Sequence, residues 1–409
     1  MSSLIYRFLH GLCRICLAGL LLFLFLSGHG RVVAGESPCP PEALALGMST
    51  ALTGPAADLG INMRDGVLAA LDEANRGQGI KGRQLCLAAL DDGYEPAQTV
   101  PNMLTLINAQ QVLALIGNVG TPTAVAALPI ALRANTPFYG AFTGAGILRK
   151  SPPDRYVINY RASYGEETAA MVDALIEHGG LRPEEIAFFT QRDAFGDAGF
   201  VGGLTALKQH GLRQENKIAH GRYERNTLAV ENGLADIMLA ETVPRAVIMV
   251  GTYAPCAEFI QLAKKYGLDA LFLNVSFVGA APLAKGLGDQ GDGVIITQVV
   301  PHFEADLPIV RDFRKALETW NQDITPSFGA LEGYIATRIL LLALHRIDDA
   351  ITRESIIDAL EGLGEFDVGL QAPLLLSKEE HQASHQVWPT VIRQGKVVPF
   401  AWQNLKGRR

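Results

Sequence analysis

Residues 112–134 read "VLALIGNVGTPTAVAALPIALRA". A short apolar run, Val112–Ile116, ends in Gly117, Asn118 and Gly120, and a Thr-Pro-Thr start at 121–123 opens a longer run of small apolar residues. The first run has the length of a buried strand and the second that of a helix. Threonine followed by proline is a helix-start signal, with Thr121 as N-cap, Pro122 as the first helical residue and Thr123 as an extra hydroxyl. The stretch is therefore one strand–loop–helix unit. Its loop ends at a helix N-terminus, where free N–H groups and the positive dipole end suit an anion.

The same unit recurs on both sides. "ALALGMS" then "AADLGINMRDGVLAALDEAN" precede it, with Leu59, Met63, Val67 and Leu71 on one helix face, followed by "RQLCLAALDD" and "PAQTVPNMLTLIN". "PFYGAF" comes after it. A Pro-Pro at 152–153 marks a boundary, and a second strand–helix series runs from "EETAAMVDALIEHG" to "ALFLNVSF". Such alternation predicts an α/β protein of two doubly wound parallel-sheet lobes. "GVIITQVVP" reads as a further strand, long helices are expected near 306–321 and 329–346, and the tail as strands joined by a "QGK" turn.

With 409 residues, 48% of them hydrophobic and 19% charged, the chain is globular and long enough for two domains. A net charge of −7 argues against a nucleic-acid partner. At the N-terminus, Arg7, His10 and Arg14 precede "LAGLLLFLFL" (17–26), and Val32 and Ala34 suit a signal-peptidase site. The apolar core is about half of the roughly 20 residues a spanning helix needs, so residues 1–34 are expected to be a cleaved export signal. No cysteine sits at the cleavage point and no later segment reads as a membrane span, so a soluble periplasmic protein is expected. Cys39 precedes the first strand and Cys86 lies in the second. If those strands are neighbours the pair can be bridged, leaving Cys256 free. No CxxC spacing suggests a metal, and no cofactor is expected.

Three loops at strand ends carry similar chemistry: "STALTGPAADLG", "GNVGTPTAV" and "YGAFTGAG". In open α/β sheets, ligands sit beyond the carboxyl ends of strands. Aromatics occupy corresponding loops of the second series, Tyr164, Phe195 and Tyr253, and could cover a ligand. Dinucleotide, P-loop and nucleophile-elbow fingerprints are absent. "HQASH" (381–385) reads as structural, and Asp91–Asp92 as turn and cap formers, because adjacent strand residues point to opposite faces.

"MSTALTGPAADLG", "EANRGQGIKGRQLCLAALDDGYEP", "ALIGNVGTPTA", "FGDAG" and "YGLDALFLNVSFVGAAPL", in this order, resemble the periplasmic leucine/isoleucine/valine-binding protein family. The resemblance runs from about Ala43 to Phe400. It implies a type I periplasmic-binding fold: a first lobe of 35–157 with 285–365, a second of 158–284 with 366–409, and hinge crossovers between them. It implies a solute receptor without enzymatic activity, a monomer handing a small carboxylate, amide or amino-acid-like ligand to an ABC permease. A sensory receptor signalling to a membrane kinase or chemoreceptor is the alternative, and an amidase a remote one. The family's carboxylate-binding serine falls on Thr121 and its cradle after the fourth strand on Phe142, Thr143 and Gly144. Its first-loop contact falls on Leu59, and its second-lobe aromatics on Phe195 and Tyr253. The acid that pairs with a ligand ammonium falls on Ser276, which carries no charge. Unless Glu166 or Asp193 substitutes, a ligand without an ammonium is expected. A disulfide that some members have would join positions 94 and 120, here Tyr and Gly.

Overall fold

A computed structural model describes residues 38–405. The expected export signal lies outside the described residues.

The short apolar strands at the centre of each sheet are buried on both faces, with helices as their connections. The first sheet holds β1 (Leu44–Thr50), β2 (Leu85–Asp91), β3 (Ala114–Ile116), β4 (Phe138–Tyr139) and β5 (Val157–Ile158), all parallel, in the order 2-1-3-4-5. The second sheet begins with β6 (Ile186–Gln191), β7 (His220–Tyr223), β8 (Ala246–Val250), β9 (Leu271–Asn274) and β10 (Ile295–Gln298). A small hairpin follows, β11 (Gly364–Phe366) and β12 (Leu374–Leu376). Then β13 (Trp388–Arg393) and β14 (Lys396–Pro399) complete the second sheet, in the order 14-13-10-9-8-6-7 with the last two strands antiparallel. Every residue of β6 and β8 is buried, the pattern of central parallel strands.

Two boundaries differ from the sequence reading. β10 pairs with β9, so residues 285–298 belong with the second lobe. The hairpin stays near the first lobe's helices, because Gly369 accepts from Ile309 at the start of the helix Pro308–Trp320. We therefore place the return crossings after Gln298 and near Gln382, not at 285 and 366. An apolar strand looks the same in either sheet; only its neighbours decide its lobe.

The helix Phe328–His345 is mostly buried and is long and apolar enough to cross a membrane by composition, contrary to the expectation for the later chain. It is a core helix, packed along the helix Ala57–Arg76. Glycines allow the close approach: a Cβ on Gly66 would lie 1.9 Å from the Ala330 carbonyl oxygen, and one on Gly333 would lie 2.4 Å from that of Met63. β1 and β2 are neighbours in register, and Cys39 and Cys86 are bridged with Cα atoms 5.6 Å apart. Cys256 is free and buried.

Candidate functional site

The loops at the carboxyl ends of the strands are shaped by their own short side chains. Asp91 accepts from the backbone of Leu52, Thr53 and Gly93, while Asp92 accepts from Ser49, Thr99 and the Tyr94 N–H. Both act as turn formers, as their adjacency implied. At the start of the helix Thr121–Arg133, Gly120 and not Thr121 is the N-cap. Its φ of 102° favours glycine, and the Tyr94 ring would lie 2.2 Å from any Cβ there. No side chain caps this helix, and Thr121 is its first residue. The Thr121 and Thr143 hydroxyls lie 2.6 Å apart. Thr123 donates to the Val119 and Gly120 carbonyls, so its hydroxyl is committed to its own helix.

The two lobes meet through aromatic rings. Phe277 packs against Tyr94 and Phe142 of the first lobe, at 5.9 and 5.4 Å between centroids, and against Phe195 of the second at 4.8 Å. Tyr164 packs on Phe195 at 5.1 Å. Tyr164 starts the helix Tyr164–Glu177, which is held by a Ser163–Glu166 capping box. Gly144 must lack a side chain because a Cβ would lie 2.5 Å from the Tyr164 nitrogen. Tyr253 is half-buried beside Asp58, and burial pushes its hydroxyl up to about 12.

Behind these rings lies a buried polar cluster. The Arg161 guanidinium stacks over Phe142 at 5.0 Å and donates to Glu167 at 3.2 Å and to the Ser276 hydroxyl. Its Nη1 is 3.6 Å from a Glu332 carboxylate oxygen. Burial disfavours the Arg161 charge, but Glu332 and Glu167 outweigh that and raise its pKa. Glu167 also accepts from the Ser276 N–H at 2.7 Å, from the Ser276 hydroxyl at 2.9 Å and from Thr297. Burial pushes Glu332 up to about 7, with Arg161 acting against it.

Two cavities flank the aromatic junction. One, of about 380 Å³, is walled by Leu59, Phe142 and Glu332 from the first lobe's side and by Ser276, Gly279 and Gln298 from the second's. The other, of about 710 Å³, is bordered by Thr121, Gly144, Glu166 and Ala198. The sequence-derived residues thus divide. Leu59, Phe142 and Ser276 border the smaller cavity, Thr121 and Gly144 the larger, with Thr143 bonded to Thr121. Tyr164 and Phe195 are buried between the lobes, and Tyr253 lies against Gly279 and Asp58.

Neither expected substitute acid faces the smaller cavity. Glu166 is held by Ser163, Gln382 and His385, and these bonds outweigh burial to lower its pKa. Asp193 caps the helix Ala194–Gln209 and contacts Gln191 and Arg225. Sequence reasoning missed Arg161, Glu167, Phe277 and Glu332. Glu332 had a signal, as the lone acid in a mostly apolar helix whose other charged residue is Arg338. His381 donates its Nδ1–H to the Val157 carbonyl, a structural role, and no metal-holding group of His, Cys, Asp or Glu occurs among the described residues.

Two α/β lobes enclosing a cavity walled from both sides define a two-lobed solute-binding protein. A family model for periplasmic binding proteins matches residues 43–396, and the chain belongs to that family. The leucine-, isoleucine-, valine-, threonine- and alanine-binding protein of Pseudomonas aeruginosa is 24% identical over 349 residues, covering 78% of this chain and 82% of that relative. A crystal structure of a possible leucine/isoleucine/valine-binding protein from Rhodopirellula baltica is 54% identical, with a TM-score of 0.87, covering 90% of this chain and 99% of the other. A substrate-binding periplasmic protein from Ralstonia solanacearum is 27% identical with a TM-score of 0.79, covering 87% of this chain and 100% of the other.

Proposed function

We propose that this chain is the periplasmic receptor of an ABC importer, enclosing a small amino-acid-like, carboxylate or amide ligand and passing it to an inner-membrane permease. The observation that carries this is the 380 Å³ cavity with Phe142 on one side and Ser276 on the other, a volume suited to a small ligand. Closure around the ligand changes the surface offered to the permease, a ligand-biased two-state hinge. The names of the Pseudomonas and Rhodopirellula relatives support the ligand range. Thr121 and Thr143 supply hydroxyls on one side of the junction, and Leu59 and Phe142 supply apolar wall on the other. Mass spectrometry of small molecules released on denaturing the natively purified protein, with small-angle scattering before and after adding them back, tests this. A released compound that contracts the protein is expected. No retained compound, and no contraction with any amino acid, carboxylate or amide offered, would reject the reading.

A further inference from the structure

We propose that Glu332 is the acidic subsite of the smaller cavity, and that the ligand presents a cationic nitrogen to it. This rests on the receptor reading above and names the ligand class it takes.

Ser276 occupies the position from which the resemblance expects an acid, but its N–H and hydroxyl are both given to Glu167. It is a strut inside the second lobe. Glu332 comes from the opposite side of the cleft. It is 3% exposed and borders the cavity, and its carboxylate accepts no hydrogen bond among the described residues. Arg161 is its one close cation: Nη1 lies 3.6 Å away and makes no hydrogen bond, Nη2 is bonded to Glu167, and Arg161 does not itself border the cavity. Arg161 is thus shared between two carboxylates, and the more distant Arg149 adds a weaker favourable charge at Glu332. A buried carboxylate without a donor is costly, and a cation entering the cavity removes that cost.

The other charged groups do not supply it. Arg149 gives its N–H groups to Gln382 and to the carbonyls of Thr143, Ala145 and Arg161, and borders the other cavity with Glu166. Lys285, Lys396 and Glu304 are exposed residues of the rim, and His302 donates its Nε2–H to the Val397 carbonyl while its Nδ1 accepts from the Glu304 N–H. The raised pKa of Glu332 adds a readout. A cation binds the ionised form, so binding should tighten by about tenfold from pH 6 to pH 8, as that form rises through a midpoint near 7.

The test uses calorimetry with leucine and phenylalanine, the amines left by removing their carboxyl groups, and the acids left by removing their amino groups. These probes are measured between pH 6 and 8 with wild type, E332Q and H302Q. The nitrogen-bearing probes should bind more tightly than the acids. E332Q should weaken them by about tenfold or more and flatten the pH dependence, while H302Q should retain it. Tighter binding of the acids, or a flat wild-type profile, would overturn the proposal while leaving the receptor reading intact. The wild-type profile decides alone if E332Q does not fold. Failure of every probe would overturn the receptor reading over this ligand range, and this proposal with it.

Discussion

The Glu95 carboxylate of the first lobe meets the Arg225 guanidinium of the second at 2.8 Å, and accepts from Asn226 at 2.6 Å. Arg225 is anchored from behind by Asp193 at 3.3 Å. Glu95 stands at the start of the helix Pro96–Leu104 and Arg225 just beyond β7, so these bonds exist only while the lobes are together. The side chains are 43% and 24% exposed, so screening limits the ion pair to about 0.5–1 kcal/mol, with about 1 kcal/mol more from the Asn226 bond. E95A should weaken ligand binding by roughly ten- to thirtyfold. The loss should shrink at high salt. Calorimetry at two salt concentrations measures this, and equal affinities at low salt would show that the contact does not hold the lobes closed.

The Thr121–Thr143 hydroxyl pair offers a second test. T121V preserves shape but leaves the Thr143 hydroxyl without its buried partner. A stability loss of about 1–2 kcal/mol is expected, read from denaturant unfolding. If the pair also bonds the ligand, affinity falls by about 1–3 kcal/mol beyond that. Unchanged affinity in a destabilised protein would confine the pair to a structural role.

Glu332 makes stability depend on pH in a direction opposite to that of most acids. Its pKa rises from about 4.5 to about 7 on folding, with burial the main cause. The folded protein therefore holds a proton that the unfolded chain has lost across that window. Stability from this group is complete below about pH 4.5 and declines as pH rises to about 7, on the order of 3 kcal/mol in all. E332Q should unfold at a higher temperature than wild type at pH 8, with the gap closing near pH 5. Parallel melting curves across this range would show that Glu332 is charged throughout.

Periodicity made the strand–helix order legible, because a buried parallel strand and its covering helix each leave a run of distinctive length. The lobe of β10 was not legible, since pairing with β9 depends on contacts that an apolar run does not record. Thr121 was placed within one residue of its role. The cap is Gly120 because the Tyr94 ring takes the space a side chain would need, a packing fact carried by residue 94 and invisible in the loop itself. The buried charges were harder. Arg161 sits in "NYRASYG" and Glu332 in "ALEGYIA", 171 residues apart, and only the crossover and the core helix bring them together.

His220 provides the acid-side counterpart to Glu332. It lies on β7, an edge strand, with Nε2 2.8 Å from the Thr190 hydroxyl and its ring stacked on Phe200 at 3.9 Å. Burial lowers its pKa from 6.5 to about 4, and the nearby Arg222 charge acts in the same direction. The unfolded chain then binds a proton that the folded protein refuses. Stability from the neutral ring is present above about pH 6.5 and is lost as pH falls toward 4. The loss is about 2–3 kcal/mol, the lower figure allowing for the ring's partial contact with solvent. H220Q keeps a partner for Thr190 and removes the titration. It should cost some stability at pH 7.5 through lost stacking, yet decline less than wild type between pH 6.5 and 4.5. Chemical denaturation at several pH values separates the two effects. Equal slopes for the two proteins would place the acid sensitivity in other groups and mean that His220 is protonated in the folded protein as readily as in the unfolded chain.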